Sequence, residues 1–188
     1  MYNLFFDTEF TGLHKNTTLI SLGIVSEDGR KFYAEFSDYD ENQCDDWIKD
    51  NVIKHLYIGA IGTSVDYATR SVRIHGSRQY VLRMLIDWLR QYDEIQLISD
   101  VCHYDFVLLI DLFGCAFDLP KNVNPACHDI NQDIARHYGI SEREAFDKSR
   151  EEIVAELRSE PVNGRKHNAL YDAEVIRSIY HSINKEEK

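Results

Sequence analysis

Proline is scarce in this sequence and glycine is not abundant, with three prolines and nine glycines among 188 residues. Disordered segments and linkers are typically rich in these residues and poor in apolar ones, whereas 44% of this chain is apolar. A chain of this length can bury roughly two thirds of its unfolded surface as one domain. We therefore expect residues 1–188 to form a single domain, without low-complexity segments or internal repeats.

The sequence also lacks an apolar run long enough to cross a bilayer, and its first residues do not resemble a signal peptide. These absences predict a cytoplasmic protein with no membrane partner. The four cysteines contain no C-x-x-C pair, which favours reduced, packed thiols over a disulfide framework. A zinc site at Cys102 or Cys127, with the histidine that follows each, is disfavoured because adjacent side chains point apart.

Positive charge is in deficit, since 21 lysines and arginines stand against 32 aspartates and glutamates, for a formal net charge of −11. Phosphate contacts supply much of the affinity of general polyanion binders, so this charge excludes that class. It is compatible with an enzyme whose acidic centre is neutralised by metal and whose basic groups act locally. Candidates for local basic groups, although a solvated surface charge is the favoured explanation for each one singly, are Arg70, Arg73, Arg78, Lys121, Arg165 and Lys166.

The most informative stretch begins with two carboxylates that follow an apolar run. Leu4 to Phe6 indicates a buried β-strand, on which Asp7 and Glu9 point the same way with about 6.6 Å between their Cα atoms. Two ionised carboxylates at this separation repel each other and lose hydration unless a cation lies between them. A solvent-facing strand could carry the same pair, but the surrounding apolar residues favour a deep position. We interpret Asp7 and Glu9 as ligands of a hard divalent ion.

The first part of the chain predicts an antiparallel meander. Residues 19–25 have strand propensity, 27–30 form a hairpin turn, and 31–36 alternate as a strand does. With the first strand, these make three sequential antiparallel strands. A short helix is expected within 42–51, and a loop at 54–74, where no clear period is present.

Helices and strands alternate in the rest of the chain. Ser77 is a typical N-cap for an amphipathic helix over 78–92, and 94–99 is expected to be a strand parallel to the first. The other helices are expected over about 105–112, over 129–138, from 141 to about 158, and from 169 to about 183. This alternation predicts an α/β fold.

Two further aspartates lie where such folds place their sites. Asp105 opens a helix after a strand, and open α/β sheets bind ligands at this edge. Asp100 is the alternative, but it ends the strand, whereas the Tyr-Asp-Phe setting of Asp105 opens the helix. Asp172 lies in the first turns of the last helix, and His167 precedes the capping Asn168. If His167 and Asp172 were on one helix, their side chains would be about 140° apart around its axis. They can face one site only because His167 precedes the helix.

Together these residues resemble the DEDD superfamily of exonucleases. The stretch from Asp7 to Leu13 is similar to its first motif and Tyr104-Asp105-Phe106 to its second. His167 with Asp172 is similar to the third motif in its histidine-bearing, DEDDh form. The resemblance spans nearly the whole chain and implies an RNase H-like fold, with a mixed five-stranded sheet whose first three strands are antiparallel, flanked by helices.

The resemblance also implies a metal-dependent 3′-5′ exonuclease. Four carboxylates can hold two Mg²⁺ or Mn²⁺ ions about 3.5 to 4 Å apart, on the attacking and leaving oxygens of a phosphodiester. The expected ligands are Asp7, Glu9, Asp105 and Asp172. His167, with an ordinary pKa near 6.5, is the expected general base, and the product would be a nucleoside 5′-monophosphate.

Within the superfamily, the runs Asp-Thr-Glu-Phe, Leu-Ile-Ser-Leu-Gly-Ile-Val and Leu-Phe-Gly are most similar to the ribonuclease AS group of exoribonucleases. This similarity implies a homodimer that degrades adenylate-rich single-stranded RNA, with RNA favoured over DNA. Phe10 departs from the threonine of many relatives. Candidate substrate contacts, which could instead be core residues, are Phe10, Thr11, Gly12, Leu13 and Tyr104. The alternatives are a 3′-5′ exodeoxyribonuclease, an RNase H-type endonuclease and an inactive RNA-binding module.

Overall fold

The structure, a computed structural model, describes residues 1–57 and 59–185. Within these residues one sheet contains seven strands: β1 (Tyr2–Phe10), β2 (Leu19–Ser26), β3 (Lys31–Phe36), β4 (Gly62–Asp66), β5 (Ser71–Gly76), β6 (Ile95–Ser99) and β7 (His128–Asp129). The α-helices are α1 (Asp46–Asn51), α2 (Arg78–Leu89), α3 (Cys102–Phe113), α4 (Ile130–Tyr138), α5 (Glu142–Asp147), α6 (Arg150–Glu156) and α7 (Ala169–Lys185). None of the helices in this part of the chain has the length and apolarity needed to cross a bilayer.

The strand order across the sheet is β4-β5-β3-β2-β1-β6-β7. β1, β2 and β3 pair in antiparallel fashion, and β6 runs parallel to β1 with Tyr2 opposite Ile95 and Phe5 opposite Ile98. α2 provides the crossover that returns the chain to the edge of β1. The predicted α/β fold with three antiparallel strands at its start is therefore confirmed.

The sheet has two strands more than the five expected, and three of the observed strands need explanation. β4 and β5 form a hairpin that begins within the predicted loop of 54–74 and ends at Gly76, and β5 pairs in parallel with β3. β4 is polar and largely exposed, so it lacks the apolar alternation that indicates a strand. Its extended conformation is stabilised by pairing with β5. β7 has only two residues and leads directly into α4, where Asp129 is the N-cap.

The helix expected from 141 to about 158 is two helices instead. α5 begins at a capping box of Ser141 and Glu144, and ends where Lys148 is extended. The Ser149 side chain then accepts a hydrogen bond from the backbone of Glu152 and starts α6. Likewise, the short helix expected within 42–51 is a 3-10 turn, Glu41–Gln43, followed by α1.

The sheet lies between two helical layers, and β1 contributes alternate residues to each. Leu4 and Phe6 pack in the core beneath α2 and α3, whereas Phe5 packs in the core beneath α7 and α4. Asp7 and Glu9 follow Phe5 at intervals of two residues, and so lie on the α7 face.

The start of α7 approaches the sheet very closely at Gly23 of β2. A Cβ atom at Gly23 would lie 2.3 Å from backbone atoms of Ala169 and Leu170. Gly23 is also the register partner of Asp7. A residue without a side chain at this position therefore lets the first turns of α7 come down beside the carboxylates of β1.

Candidate active site

Three of the predicted acidic residues converge at the end of β1. Asp7 and Glu9 on β1 and Asp172 on α7 each offer a carboxylate oxygen, and these oxygens all lie within 4.8 Å of one another. The pairing of β1 with β2 and the close approach of α7 to Gly23 place them there. The structure thus brings together the acidic pair of the first motif and the aspartate of the third.

Asp105 lies beside this group, in the first turn of α3, and is buried. Its Oδ1 accepts hydrogen bonds from the Thr8 backbone N–H at 3.0 Å and the Thr8 hydroxyl at 2.5 Å. Its Oδ2 accepts one from the Ser99 hydroxyl at 3.3 Å. These bonds fix the carboxylate at the carboxyl edge of β6, next to Asp7. A part of its lone-pair capacity remains for a cation.

His167 is placed outside α7, as the sequence predicts. Its backbone is left-handed, with φ of 64°, and its N–H donates to Asp172 Oδ2 at 2.9 Å. Asn168 Oδ1 accepts from the backbone N–H of Tyr171 at 3.2 Å, which caps the helix. The imidazole ring meets the Trp47 ring edge-on, with 4.9 Å between centroids. The turn therefore ties the histidine directly to the aspartate of its own motif.

The electrostatics of the group call for positive charge. Burial, and then repulsion by the other carboxylates, raises the pKa of Asp7 well above its ordinary value and that of Glu9 to about 8. Burial also raises the pKa of Asp172 to about 7 and that of Asp105 to about 6, although hydrogen bonds to each carboxylate oppose the rise. Four oxygen-rich, partly desolvated carboxylates are a donor set that fits hard divalent ions.

Burial lowers the pKa of His167, and the neighbouring charges of Lys166 and Arg165 lower it further. The ordinary pKa of histidine is near 6.5, so this imidazole is mainly neutral at pH 7. A neutral imidazole can accept a proton, which is the state that a general base requires.

The site opens into a cleft of about 950 Å³. Three of the predicted substrate contacts, Phe10, Gly12 and Leu13, line this cleft, and the Leu13 side chain is exposed. The rings of Tyr104 and Phe10 stack with 5.6 Å between centroids, and Tyr104 is exposed. Thr11 is fully buried, and its hydroxyl donates to Gln43 Oε1 at 2.5 Å. The Thr11 side chain thus braces the loop after β1.

A salt-bridge network at the cleft wall was not indicated by the sequence. Arg150, at the start of α6, binds both carboxylate oxygens of Asp100 at 2.5 and 2.7 Å, and also Asn131 Oδ1 at 2.6 Å. It connects the end of β6, α4 and the α5–α6 turn. Asp100, the rejected alternative to Asp105, therefore has an ion-pair partner of its own.

Thr8 and Trp47 were not among the site residues predicted from the sequence. Thr8 lies between the two carboxylates of β1, and strand alternation turns it to the opposite face, where it reaches Asp105. Trp47 is a half-exposed aromatic residue on α1, whose other apolar residue, Ile48, is buried. An exposed tryptophan on a short acidic helix was the only available signal of a role at the site.

The candidate basic groups are distributed unevenly around the cleft. Lys166 lines it and lies 3.8 Å from Glu151. Arg70 and Arg78 form ion pairs elsewhere, with Asp28 and Asp111. Arg73 lies on β5, with its guanidinium over a tyrosine ring. Local positive charge is therefore present near the acidic centre, as a polyanionic substrate requires.

The fold and the site together define the class of the protein as a DEDDh 3′-5′ exonuclease. The model of the 3′-5′ exoribonuclease Rv2179c-like domain matches residues 2–184, and the chain belongs to this family. The 3′-5′ exoribonuclease Rv2179c of Mycobacterium tuberculosis (strain H37Rv) is 31% identical over 130 residues, which cover 68% of this chain and 71% of the relative. The prediction of a metal-dependent 3′-5′ exoribonuclease is confirmed.

Solved structures show the same fold at low sequence identity. The nuclease domain of 3′hExo, a DEDDh family member bound to rAMP, superposes with a TM-score of 0.67 at 14% identity, covering 98% of this chain and 92% of that one. The catalytic unit of Pan2 from Neurospora crassa gives a TM-score of 0.53 at 14% identity, covering 98% of this chain and 27% of that one. At such identities the likeness shows the fold alone.

Proposed function

We propose that this exoribonuclease hydrolyses the last phosphodiester of single-stranded RNA and releases nucleoside 5′-monophosphates. The observation that carries the proposal is the convergence of Asp7, Glu9 and Asp172 within 4.8 Å, in a cleft that also contains His167. Such an acidic centre repels phosphate unless it holds cations, so its natural ligands are divalent ions together with a phosphodiester.

The carboxylates would hold two Mg²⁺ ions, or two Mn²⁺ ions, with Asp7 shared and Glu9, Asp105 and Asp172 completing the two ligand sets. When bound, the pair of ions supplies electrostatic stabilisation of the attacking and leaving oxygens. Thr8 and Ser99 hold Asp105 in place, and the backbone of His167 holds Asp172. Glu9 in addition orients the 3′ end of the substrate.

His167 would act as the general base, taking the proton of the attacking water at an imidazole nitrogen. Its lowered pKa keeps this nitrogen unprotonated near neutral pH. The backbone bond to Asp172 and the edge contact with Trp47 limit the positions that the ring can adopt.

The 3′-terminal nucleotide would lie against the aromatic and apolar lining of the cleft. Phe10 and Leu13 can pack on the base, and the backbone at Gly12 can approach the ribose. The Tyr104 ring stacks on Phe10. We propose a preference for adenylate-rich RNA over DNA, in line with the resemblance, and the related 3′hExo domain is itself bound to rAMP.

We further propose that residues 1–188 are one exonuclease domain that works as a homodimer in the cytoplasm. The family match over residues 2–184 supports the single domain, and the resemblance supports the dimer. Light scattering during gel filtration measures the mass in solution. Twice the chain mass supports the dimer, and the mass of one chain contradicts it.

A time course on 5′-labelled oligoadenylate RNA and on its DNA counterpart tests the proposed function, with Mg²⁺ or with chelator. The expected result is a chelator-sensitive ladder that shortens from the 3′ end of the RNA. Equal ladders on both substrates would favour the exodeoxyribonuclease alternative, and internal fragments an endonuclease. Tight binding without cleavage would favour an inactive RNA-binding module.

A further inference from the structure

The face of the sheet that carries the acidic site extends beyond α7, across β3 to β5. α7 packs on β1 and β2, and β5 extends the same face beyond β3. Register partners lead in one row from Asp7 to Gly23, Tyr33 and Arg73. Neighbouring strands are about 4.8 Å apart, so Arg73 lies about 14 Å from the catalytic strand on the same face. A strand leaving the cleft in this direction reaches Arg73 after roughly two to four nucleotides.

Direct contacts link His167 to this part of the sheet. Asn168, which follows His167, donates from Nδ2 to the Tyr33 hydroxyl at 3.2 Å. The Tyr33 ring lies 5.7 Å from the Tyr57 ring, between centroids. The Arg73 guanidinium in turn lies over Tyr57, with Cζ 5.7 Å from the ring centroid. These contacts, which pass through the buried Tyr33 side chain, hold Tyr57 and Arg73 over the same face of the sheet as the motif that carries His167.

Three side chains in this region, Trp47, Tyr57 and Arg73, are exposed and so available to a ligand. Tyr57 is 52% exposed and Trp47, beside His167, is 53% exposed. Arg73 is exposed, and within the described residues its guanidinium forms no ion pair, although its charge lowers the pKa of Asp66. An arginine that stacks on an aromatic ring presents its donors in a plane, in the geometry that suits a phosphate.

We propose that Tyr57 and Arg73, reached from the cleft past Trp47, form an RNA track that binds the nucleotides upstream of the scissile bond. A base stacks on the exposed part of the Tyr57 ring, and Arg73 contacts the adjacent phosphate. The track rests on the proposed function, because it assumes that the RNA 3′ end lies at Asp7. It gives an acidic enzyme a local anchor for a polyanion and makes longer strands better substrates than dinucleotides.

The test compares a single-stranded RNA decamer with a dinucleotide, using the full chain. Tyr57→Ala is expected to weaken binding of the decamer by about 5- to 100-fold, the range for loss of one stacked base. Its kcat/KM on the dinucleotide is expected to equal that of the wild type. Tyr57→Phe, which keeps the ring, is expected to bind the decamer as the wild type does. Tyr67→Ala, in the exposed turn between β4 and β5, is the matched control.

Arg73→Ala is expected to reduce the dependence of log Kd on log salt concentration by about 0.7, the value for one phosphate contact on a single strand. Arg90→Ala, an exposed arginine at the end of α2, is the control and should leave the slope unchanged. Fluorescence anisotropy in Mg²⁺, with His167→Ala as the common background, measures this binding while turnover is suppressed and the ions are retained. Failure of the proposed function would be seen as absence of cleavage by the wild type, and failure of the track as unchanged decamer binding in the variants, so the two failures are distinguishable. Wild-type decamer affinity in Tyr57→Ala and Arg73→Ala, or equal losses on both substrates, would overturn the track.

Discussion

At the scale of single residues, the site is a set of carboxylates whose ionised forms are destabilised by burial and by mutual repulsion. Asp7, Glu9 and Asp172 are largely removed from water, and each lies in the field of the others. The sequence indicated the pair on β1 because residues two apart on a strand share a face. It could not indicate the depth of burial, which depends on how α7 and α3 pack over the strand.

The stability of the metal-free protein should fall as the pH rises. The four carboxyl groups hold their protons more tightly in the folded chain than in the unfolded one, where the pKa is about 4. Between about pH 4 and pH 8 the folded state retains protons that the unfolded state has lost, so the free energy of unfolding decreases. Thermal melts of stripped protein should give a lower Tm at about pH 8 than at about pH 5.5.

Mg²⁺ should reverse this trend, because it binds the ionised carboxylates of the folded state. The rise in Tm on adding Mg²⁺ is expected to be larger at the higher pH, and Glu9→Gln should reduce the pH dependence of the stripped protein. A Tm of stripped protein that increases up to about pH 8, with no added effect of Mg²⁺, would show that these carboxylates are not strained by burial.

His167→Ala should lose turnover while retaining its ions. Removing a general base typically costs about 10²- to 10⁴-fold in rate, and His167 supplies no ligand atom to the acidic group. Single-turnover cleavage of labelled RNA measures the loss of rate, and Mn²⁺ binding measures the retention of ions. His137→Ala, on the exposed side of α4, is the control. A variant that keeps the full rate would remove His167 from the role of base.

At the scale of elements, the site is formed where α7 packs closely against β1 and its neighbour β2, and where α3 contacts β1. Gly23 admits the start of α7, and Thr8 on the other face of β1 receives Asp105 from α3. The helices α2, α3 and α4 and the strands β1 to β3 could be predicted, because their apolar periods and caps are local signals. β4 and β5 could not, because β4 is held by pairing rather than by an apolar face.

Gly23→Ala should displace α7 and lower both stability and activity. The new Cβ would meet backbone atoms at 2.3 Å, and backbone cannot rotate away as a side chain can. Overpacking of this kind costs about 1 to 3 kcal/mol or more, and any shift of α7 moves Asp172 and His167 together. Denaturant melts measure the loss, and kcat on RNA measures the displacement of the site.

Gly59→Ala is the matched control, because its added Cβ meets no atom within 4 Å. It is expected to change the free energy of unfolding by less than about 0.5 kcal/mol. If Gly23→Ala behaved like Gly59→Ala in both stability and turnover, the close approach of α7 to the sheet would not be a requirement of the site.

At the scale of the whole molecule, an RNA-degrading enzyme is built on a strongly acidic chain. Its net charge of −11 provides no general attraction for RNA, so affinity must come from bound cations and from a few local basic groups. The order of the motifs along the chain could be recognised in the sequence. The full sheet and the wall formed by Arg150 depend on long-range contacts, such as Asp100 with Arg150, that no local pattern records.

We propose that the four carboxylates together form a site for two divalent ions. Equilibrium dialysis against Mn²⁺, in the presence of a nucleoside 5′-monophosphate, measures the number of ions bound per chain. We expect the wild type to bind two ions and Asp7→Ala to lose both, because Asp7 would be the ligand shared between them. An unchanged number of bound ions in Asp7→Ala, or no binding by the wild type, would contradict the two-ion site.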